Sequence, residues 1–526
     1  MSTVVAPVQV APGGVAGSCT LVSGALNSGL VAKAPALREG ERRATARLAG
    51  VAAVAAGLVL VAAFARPAQP DTALVSRVVP PPTGSSYFGF TYLLFDSADP
   101  VWGDSRPFTE RVQDAIQYEL AGKTPTFLTV WTPWQHPDAP GEPMAPFSEA
   151  LPDIAKVREV IGDGGLIYLD WNLGQSTATL AGITTHDIAT GKLDGYIRRY
   201  ARDVRAYGKP LLVRLFNGEF NGSWWVGISP WADPRVTTGD FVNAWRRVVD
   251  IFRAVGANNV SWAWTPNAYP SDGPLANIDR NIGAYWPGDD YVDWAGADFY
   301  DVGSPNWLDG PYSFAVAHHK PFIVAEFGIR HEWSSVPPSQ WGAWIASAFD
   351  YFESHPAIAA ITYFNLNNRR AATHVPWDPT RDVFTYGGKV SYTPNLNDHD
   401  SRLIAGGAAI RALYAQRISS SRYVSTVASQ AVDATPQPAS FALLATVVRS
   451  GRAVMRWQAN LAAESFDVAV ARDGGHSRVL VAHLARTSYP LRGKPGERLR
   501  VRIRVRDVFD AVSAWSAPMT VRFPRR

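Results

Sequence analysis

The stretch LLVRLFNGEF (211–220) indicates most clearly what kind of fold this sequence specifies. It begins as a nearly continuous apolar run, as expected for a parallel strand that is covered on both faces, and it ends in polar residues. Seven other runs have the same form: YFGFTYLLF (87–95), TFLTVWTPW (126–134), LIYLDWNLG (166–174), VSWAWTPNA (260–268), VDWAGADFY (292–300), PFIVAEFG (321–328) and IAAITYFNL (358–366). The chain therefore contains eight candidate parallel strands.

Amphipathic stretches typical of helices separate many of these runs. They cover 109–120, 193–207, 241–255 and 340–354, and a last one covers 401–414 after the eighth run. The fifth crossover, around 270–290, is rich in Pro, Gly and Asp and predicts a long loop. Strict alternation of eight strands with crossovers predicts an α/β fold, a (β/α)8 TIM barrel, over residues 85–416.

Polar and aromatic residues crowd the carboxyl ends of nearly all eight runs. A doubly wound sheet is the alternative fold, but it does not readily explain this crowding, whereas a barrel carries its active site on that face. The residues concerned are Trp131, Trp134, Asp170, Trp171, Asn172, Arg214, Asn217, Glu219, Asn221, Trp224, Trp225, Trp264, Asn267, Asp298, Tyr300, Glu326, Tyr363 and Asn365. Because aromatic rings stack on the apolar faces of sugars, a carbohydrate site is expected there, although several tryptophans are also expected in the core.

Two glutamates stand out among these residues. Glu219 ends the fourth run and Glu326 ends the seventh, and strands four and seven lie across the mouth of a closed barrel from each other. Two carboxylates in that position can flank a glycosidic bond, one as proton donor and one as nucleophile; a retaining enzyme needs them about 5–5.5 Å apart. Separate structural ion pairs at the barrel rim are the alternative interpretation.

The segment RLFNGEFNGSWW (214–225) resembles the Arg-x-x-His-Glu-Met-Asn-Gly-x-Trp acid/base motif of glycoside hydrolase family 26, which contains β-mannanases and relatives acting on other β-glucans and xylans. Three further segments resemble later parts of that family in the same order: FVNAWRRVVDIFRAVGANNVSWAWTPN (241–267), YWPGDDYVDWAGADFYD (285–301) and KPFIVAEFG (320–328). The resemblance covers essentially all of 85–416.

This resemblance implies a retaining double displacement with Glu219 as acid/base and Glu326 as nucleophile. It also implies that Tyr300 hydrogen-bonds the nucleophile and that Asn221, Trp224 and Trp264 shape the sugar subsites. The remaining predicted substrate-binding residues are Arg214, Asn217, Trp225, Trp131 and Trp171. β-Mannan is the first substrate expected, with β-glucan or xylan next. A non-catalytic glycan-binding barrel in a cell-envelope polysaccharide assembly is the alternative function.

The sequence departs from the family motif just before Glu219. The family has His immediately before the acid/base and Arg four residues back, whereas Gly218 stands here and Arg214 lies five residues back. In a straight strand this odd spacing points Arg214 and Glu219 to opposite faces. We therefore predict a β-bulge at Asn217-Gly218 that returns them to one face, with Asn217 partly replacing the missing His.

Two other carboxylates at strand ends have open interpretations. Asp298 is expected to be a structural hydrogen-bond partner more than a catalytic group. Asp170 either lines a distal subsite or pairs with Arg214. No His, Asp or Glu cluster has the spacing of metal ligands and no glycine loop is typical of phosphate binding, so no metal and no cofactor are predicted.

The charge balance limits the partners. Lys and Arg number 50 against 46 Asp and Glu, so a nucleic-acid partner is not expected. The single cysteine, Cys19, excludes an intramolecular disulfide. A polysaccharide substrate and a monomeric state are predicted.

The N-terminal region predicts export. LAGVAAVAAGLVLVAAFA (48–65) is an uncharged apolar run just long enough to span a bilayer, and the excess of basic residues before it places 1–47 in the cytoplasm as a disordered tail. A cleaved signal peptide is the alternative, with Ala63-Phe64-Ala65 as its cleavage site. Residues 66–84 are Pro-rich and predict a spacer. The catalytic domain is thus expected outside the cell membrane, anchored by one helix or secreted.

A second domain is predicted after the barrel. A linker rich in Ser, Ala and Val (417–435) precedes short alternating strands over 436–526, which resemble a fibronectin type III sandwich with Trp457 in its core and VRDVFDAVSAWSAPMTV (505–521) as its final hairpin. Leu499 stands where that fold commonly has Tyr, so the usual corner hydrogen bond is expected to be missing. Arginines alternate along one strand and predict a basic outer face, either a solvated edge or a surface for anionic glycans: Arg498, Arg500, Arg502, Arg504 and Arg506.

Overall fold

The computed structural model describes residues 74–91, 107–135, 144–173, 182–223, 225–270, 278–301, 303–329, 336–365, 377–378, 383–386, 389–391, 403, 407–449 and 451–525. The chain divides into two units, Met1–Leu58 and Val59–Arg526, and every described residue belongs to the second. The predicted tail (1–47), the predicted membrane helix (48–65) and the start of the spacer lie outside the described residues. Within the described ranges, no helix is both long and apolar enough to cross a bilayer.

The predicted TIM barrel is present. Its eight parallel strands follow one short N-terminal strand, β1 (Leu74–Val78), and they are β2 (Ser86–Thr91), β3 (Phe127–Pro133), β4 (Leu166–Asn172), β5 (Leu211–Leu215), β6 (Val260–Trp264), β7 (Trp294–Tyr300), β8 (Phe322–Gly328) and β9 (Ile358–Phe364). Each strand pairs with the next, and β9 pairs in parallel with β2, so the sheet closes. Seven of the eight runs predicted from the sequence contain one of these strands, and β2 begins one residue before the remaining run (87–95), at Ser86.

Helices cover the outside of the barrel. They are α1 (Phe108–Tyr118), α2 (Leu151–Ile161), α3 (Thr185–Ala189), α4 (Asp194–Tyr207), α5 (Thr238–Val255), α6 (Asp309–Ala317), α7 (Trp341–Ser354) and α8 (Ala408–Ile418). The last helix begins later than the predicted 401–414. Between β6 and β7, the described residues contain only the 3-10 turns Ile282–Tyr285 and Asp289–Tyr291, in agreement with the predicted loop.

Strand periodicity divides the barrel core into two layers. Side chains at alternate positions point into the barrel and form a compact inner cluster that includes Tyr168, Leu212, Ala263 and Trp294. Their neighbours along each strand point outward and join the helices in a much larger cluster. The polar residues at the strand ends continue the inward series above this inner cluster.

The predicted spacer and linker are not free connecting segments in the part that is described. β1 pairs antiparallel with β14 (Ser429–Asp433), and β13 (Tyr423–Val424) pairs in parallel with β2. Tyr87 holds both segments: its hydroxyl donates to the carbonyl of Val79 (2.9 Å) and accepts from the amide of Ala428 (2.8 Å). Residues 74–84 and 417–435 are therefore part of the folded unit, because their backbone groups find partners at the barrel.

Three short strands lie between β9 and α8. They are β10 (Trp377–Asp378), β11 (Val383–Tyr386) and β12 (Lys389–Ser391), and they form an antiparallel sheet in that order. This sheet was not predicted from the sequence.

The C-terminal region is a seven-stranded antiparallel sandwich. Its strands are β15 (Phe441–Arg449), β16 (Arg452–Ala459), β17 (Ala463–Arg472), β18 (Arg478–Leu484), β19 (Ser488–Arg492), β20 (Arg498–Asp507) and β21 (Met519–Arg522). One sheet has the order β15-β16-β19 and the other β18-β17-β20-β21. Trp457 is buried between them and packs edge-on against Phe466 at 5.2 Å. Leu499 is fully buried as well.

The sandwich packs against helix α4 of the barrel. Glu464 on β17 accepts from both Arg198 and Arg199 on α4, and the guanidinium of Arg205 lies 5.2 Å from the ring centre of Phe509. The end of the sandwich that carries Glu464 and Phe509 therefore faces the barrel.

Candidate active site

A buried arginine lies at the centre of the barrel mouth. Arg214 points inward from β5 and is 2% exposed. Its Nη1 donates to Asp170 Oδ2 (3.0 Å) and to Glu326 Oε1, and its Nη2 donates to Asp298 Oδ2. Its Nε donates to Thr265 Oγ1 at 3.0 Å. One guanidinium thus connects four strands of the barrel.

The charges in this cluster strongly affect one another. Burial by itself would lower the pKa of Arg214, but Asp298, Glu326 and Asp170 together raise it well above its usual value. Burial raises the pKa of Asp170 to about 6 against the opposing effect of Arg214, and it raises the pKa of Asp298 well above its usual value. Three carboxyl groups around one cation leave excess negative charge, so retaining protons on the most buried acids lowers the electrostatic cost.

These three carboxylates surround the guanidinium of Arg214. Within the described part of the chain, no group of three or more His, Cys, Asp or Glu side chains has an arrangement that could hold a metal ion. Of the two sequence-based interpretations of Asp170, pairing with Arg214 is the one observed. Asp298 is a hydrogen-bond partner of Arg214, as expected.

A register shift aims Glu326 at the mouth. Ala297 on β7 pairs with Val324 on β8, but the next residue, Asp298, pairs with Glu326, so Ala325 is an extra residue in β8. Ala325 belongs to the inner cluster of the barrel, and Glu326 also contacts the inward-pointing Arg214. Two successive residues of β8 therefore point inward, which strict alternation forbids and a β-bulge permits.

Aromatic residues surround Glu326. The hydroxyl of Tyr300 donates to Glu326 Oε2 at 2.5 Å, as predicted from the family resemblance. The ring of Tyr300 packs edge-on against Phe364 at 5.7 Å, and Phe364 packs against Trp131 at 6.5 Å. The indole of Trp131 donates to Asp170 Oδ2 at 3.2 Å. These three rings form an aromatic wall beside the carboxylate.

Glu219 is presented by a tight left-handed turn. β5 ends at Leu215, and the next four residues all have positive φ: Phe216 (62°), Asn217 (68°), Gly218 (63°) and Glu219 (46°). Such values are unfavourable for residues with a Cβ, at about 1–2 kcal/mol each. A run of them at the end of a barrel strand is local strain that the surrounding fold must stabilise.

Hydrogen bonds from the next strand hold this turn. The amide of Glu219 donates to the carbonyl of Thr265 (2.8 Å), and Asn267 Nδ2 donates to the carbonyl of Glu219 (3.1 Å). The side chain of Glu219 accepts from the indole of Trp225 at 3.3 Å. Thr265 therefore contacts both Arg214 and Glu219, and it couples the two sides of the site.

The prediction of a β-bulge at Asn217-Gly218 is wrong, because these residues lie in a turn after the strand. The pairing of β4 with β5 is regular to Leu215, and the left-handed turn, which begins after the strand, corrects the odd spacing between Arg214 and Glu219. A Cβ at position 218 would overlap the guanidinium of Arg214 and the hydroxyl of Thr265. Glycine is therefore required there, because the space beside it is filled by Arg214.

The charges of Glu219 and Glu326 affect the pKa values of the same two neighbours, Tyr300 and Asp298. Burial is the main reason why the pKa of Tyr300 is well above its usual value, and the charges of Glu326 and Glu219 raise it further. The same two charges add to the burial that raises the pKa of Asp298. Glu219 and Glu326 thus share one electrostatic environment, and Tyr300 remains a protonated donor within it.

Three of the predicted sugar contacts are wrong. Asn221, Trp171 and Trp264 are each 0% exposed and offer no surface to a ligand. Trp171 follows the inward-pointing Asp170, and Trp264 follows the inward-pointing Ala263, so both indoles point outward to the helices.

These three residues have structural roles instead. Trp171 stacks on Tyr200 at 4.0 Å, and its removal to Ala is expected to cost about 3–5 kcal/mol of stability. Trp264 stacks on Phe314 at 5.5 Å. Asn221 Oδ1 accepts from the amide of Asn267 (2.7 Å), which fixes the residue that holds the Glu219 turn.

Those of the other predicted site residues that the structure describes lie at the mouth or beneath it. Trp131 and Trp225 are partly exposed beside the carboxylates, and Asn217 is buried in the left-handed turn. Trp224 lies outside the described residues. Sequence reasoning missed the roles of Thr265, which follows β6, and of Phe364, which ends β9; their positions at strand ends were the available signal.

The chain was compared with known proteins. Residues 181–357 match the model of glycosyl hydrolase family 26. Endoglucanase H of Acetivibrio thermocellus is 32% identical over 224 residues, which are 40% of this chain and 22% of that protein. The beta-1,3-xylanase TXYA of a Vibrio species is 22% identical over 220 residues, 36% of this chain and 44% of that protein. The chain thus spans less than half the length of these curated relatives.

Solved structures were also compared. An endo-beta-1,4-mannanase double mutant from Cellulomonas fimi aligns with a TM-score of 0.42 and 14% identity, over 84% of this chain and 95% of that one. A family 26 beta-mannanase from Bacteroides ovatus aligns with a TM-score of 0.41 and 17% identity, over 65% of this chain and 90% of that one. The closed order of the eight parallel strands by itself identifies the barrel. Residues 181–357 of the barrel are similar to glycosyl hydrolase family 26.

Proposed function

We propose, from the family 26 relationship of the barrel, that this protein is a glycoside hydrolase that cleaves a β-linked polysaccharide with retention of configuration. Glu326 is assigned as the nucleophile and Glu219 as the acid/base. The observation that carries the proposal is the pair of donors on Glu326: Arg214 binds Oε1 and Tyr300 binds Oε2. Both oxygens are held in one orientation at the barrel mouth, as attack on an anomeric carbon requires.

The reaction has two steps in this proposal. Glu219 protonates the leaving oxygen while Glu326 attacks the anomeric carbon and forms a glycosyl-enzyme ester. Water then attacks the same carbon, Glu219 accepts a proton from it, and the bond to Glu326 breaks. The hydrogen bond from Trp225 to one oxygen of Glu219 supports this role, because it orients the carboxyl group.

β-Mannan, β-glucan and xylan are the polymers proposed, with cleavage inside the chain. The names of the two sequence relatives, an endoglucanase and a beta-1,3-xylanase, support testing glucan and xylan beside mannan. The partly exposed rings of Trp131 and Trp225 are the stacking surfaces proposed for the sugar.

One experiment tests both activity and stereochemistry. Purified protein is incubated with mannan, mixed-linkage β-glucan, β-1,4-xylan and β-1,3-xylan, and new reducing ends are measured. Proton NMR of the first products then shows whether the β-anomer forms first, as retention requires. Release of the α-anomer first would contradict the assignment of Glu326 as nucleophile.

A non-catalytic glycan-binding barrel is the second candidate. Its supporting observation is that the guanidinium of Arg214 lies against Gly218, where the family motif has a histidine, so this part of the site is remodelled. If the protein binds one of the four polymers but releases no reducing ends from any of them, this second function replaces the first.

The cellular location is also proposed from sequence. The apolar run at 48–65, with basic residues before it, supports an exported protein anchored by one helix, or a secreted one if that segment is cleaved. Protease treatment of intact cells tests the orientation, since an exported barrel is accessible from outside. We also propose a fibronectin type III assignment for the sandwich, supported by its three-plus-four strand order.

A further inference from the structure

Charge is divided unequally between the two domains. Residues 436–526 contain 16 Lys and Arg against six Asp and Glu, a net charge of +10. Residues 74–435 contain 28 Lys and Arg against 37 Asp and Glu, a net charge of −9. The near-neutral total therefore conceals a strongly basic sandwich attached to an acidic barrel.

Strand β20 concentrates part of this charge on one face. Its arginines occupy alternate positions, with the buried residues Leu499, Val501 and Ile503 between them. All five arginine side chains consequently point away from the sandwich core. Their surroundings divide them into two groups.

Two of the five arginines are held by the protein itself. Arg504 Nε and Arg506 Nη2 donate to Oδ2 of Asp467 at 2.7 and 3.0 Å, and the Asp467 side chain is 0% exposed. The guanidinium of Arg504 also lies 4.6 Å from the ring centre of Trp515. These two side chains stabilise the sheet and its final hairpin.

The other three arginines are exposed, and no described acidic side chain forms an ion pair with them. Arg498, Arg500 and Arg502 lie at the end of β20 away from the barrel, because the opposite end carries Arg506 and pairs with the start of β17 near Glu464. At about 3.4 Å per residue, Arg498 is roughly 27 Å from Arg506 along the strand.

A fourth arginine extends this surface. Arg522 on β21 is the cross-strand partner of Arg498, so the two side chains lie on one face. On the other side of β20, the partners of Arg500 and Arg502 are Ala471 and Ala469, which are too small to cover the guanidinium groups. Arg498, Arg500, Arg502 and Arg522 form what we term the basic strip.

We propose that the basic strip binds an acidic polysaccharide and so holds the barrel at a surface that carries this polymer. Alternate residues of a strand are about 6.8 Å apart, which suits a polymer with widely spaced charges. DNA carries a charge every ~1.7 Å, a much closer spacing than that of these arginines. The aromatic ring of Trp515, partly exposed beside β20, adds a surface typical of sugar binding. That the strip binds a polyanion is inferred from its charge. That this polyanion is a polysaccharide rests on the proposed glycoside hydrolase function.

The test compares two polymers that differ only in charge. Binding of the full chain to polygalacturonate and to its highly methyl-esterified form is measured by gel retardation at several salt concentrations. Wild type is expected to bind polygalacturonate and to bind it more weakly as the salt concentration increases. It is not expected to bind the esterified polymer. The variant R498Q/R500Q/R502Q is expected to bind about tenfold more weakly.

A matched variant controls for net charge. R452Q/R456Q/R492Q removes three exposed arginines from the opposite sheet and changes the total charge equally. It is expected to weaken binding by less than about threefold. Equal losses in both variants would show attraction to net charge and overturn the basic strip. Tighter binding to DNA or to phosphatidylserine vesicles than to polygalacturonate would also overturn it.

Hydrolysis of a soluble neutral β-glycan serves as the folding control, and both triple variants are expected to keep wild-type rates. If the first triple variant fails to fold, the single variant R500Q replaces it, with a smaller loss expected in the same direction. The binding measurement does not require turnover. A protein that binds polygalacturonate but cleaves no β-glycan would therefore contradict the proposed function, but not the proposed role of the basic strip.

Discussion

The two segments that carry Glu326 and Glu219 bring a carboxylate to the same barrel mouth in different ways. β8 continues through Glu326 as a strand, and one extra residue, Ala325, turns the side chain inward. β5 ends before Glu219, and a run of left-handed residues brings that side chain back over the mouth. Glu326 accepts from a cation and a hydroxyl, whereas Glu219 accepts from the neutral indole of Trp225.

This difference matches the different tasks proposed for the two groups. A nucleophile must keep its position, and the strand with its Arg214 clamp holds Glu326 in one place. An acid/base must change its protonation during each turnover, and the indole that donates to Glu219 is a neutral group. The predictions below test this division, beginning with the largest effect.

Replacing the nucleophile is expected to have the greatest effect. Glu326→Gln keeps the size of the side chain but removes the group that forms the covalent intermediate, so kcat should fall by about 10⁴-fold or more. Steady-state hydrolysis of the best polymer from the panel measures it. Activity within tenfold of wild type would contradict the role of Glu326.

Replacing the acid/base is expected to cost less and to depend on the substrate. Glu219→Gln should lower kcat on the polymer by about 10²–10⁴-fold, because the leaving oxygen is no longer protonated. A dinitrophenyl glycoside needs no such protonation, so its first step should be nearly unaffected. Azide should then restore turnover by replacing the water that Glu219 activates. Equal loss on both substrates would exclude the acid/base assignment.

The turn before Glu219 can be tested with two glycines of similar backbone geometry. Gly218 (φ 63°) lies against Arg214, whereas Gly208 (φ 72°) at the end of α4 has nothing closer than backbone oxygens at 3.9 Å. Gly208→Ala should cost about 1–2 kcal/mol from its dihedral alone. Gly218→Ala should cost about 2–5 kcal/mol and reduce kcat, because the added methyl group displaces Arg214.

Urea unfolding and steady-state kinetics measure these two effects. Similar costs for both variants, with unchanged kcat in Gly218→Ala, would mean that Arg214 moves aside freely and that the site does not depend on this contact.

The buried carboxyl groups around Arg214 predict that the stability of the protein depends on pH. Burial raises the pKa of Asp170 from 3.8 to about 6, so between these values the folded protein binds more protons than the unfolded chain. Stability from this group is present at low pH and is lost as pH rises through about 6, by up to about 3 kcal/mol. Asp170→Asn should remove that part of the slope.

Urea unfolding of wild type and Asp170→Asn at pH 4.5 and pH 7 measures the difference. Asp170→Asn also removes a charged partner of Arg214, which changes stability at both pH values. Comparing how much the stability of each protein changes between the two pH values cancels part of this effect. Parallel pH profiles for the two proteins would contradict the raised pKa of Asp170.

The smallest effects are expected from the two hydrogen-bond donors. Tyr300→Phe removes a bond to the Glu326 carboxylate, which is worth about 1.5–3 kcal/mol, so kcat should fall by about 10–100-fold. Trp225→Phe removes a longer bond to Glu219 and should reduce kcat by less than about tenfold. Kinetics on one polymer compares them directly. A larger loss in Trp225→Phe than in Tyr300→Phe would contradict the greater importance assigned to the donor on Glu326.

Much of this site could be predicted because the same pattern, an apolar run with a polar end, recurs in all eight strands. Eight apolar runs with polar ends predict both the barrel and the face that carries the chemistry, and the contact between Tyr300 and Glu326 agrees with the family resemblance. The alternation rule, applied strictly, would also have placed Trp171 and Trp264 outside the barrel, since each follows an inward-pointing residue. Their prediction as sugar contacts gave residue type more weight than strand parity.

The amino-acid sequence by itself determined the strand order, the face of the barrel that carries the polar residues, and the choice of two glutamates, because these follow from local periodicity and residue type. Only the tertiary structure decided how each glutamate reaches the mouth. The extra residue in β8 and the left-handed turn after β5 are locally unfavourable, and contacts from neighbouring strands stabilise them: Thr265 and Asn267 hold the turn, and Arg214 joins Glu326 to Asp170 and Asp298. Such contacts join residues far apart in the chain, and no local pattern records them.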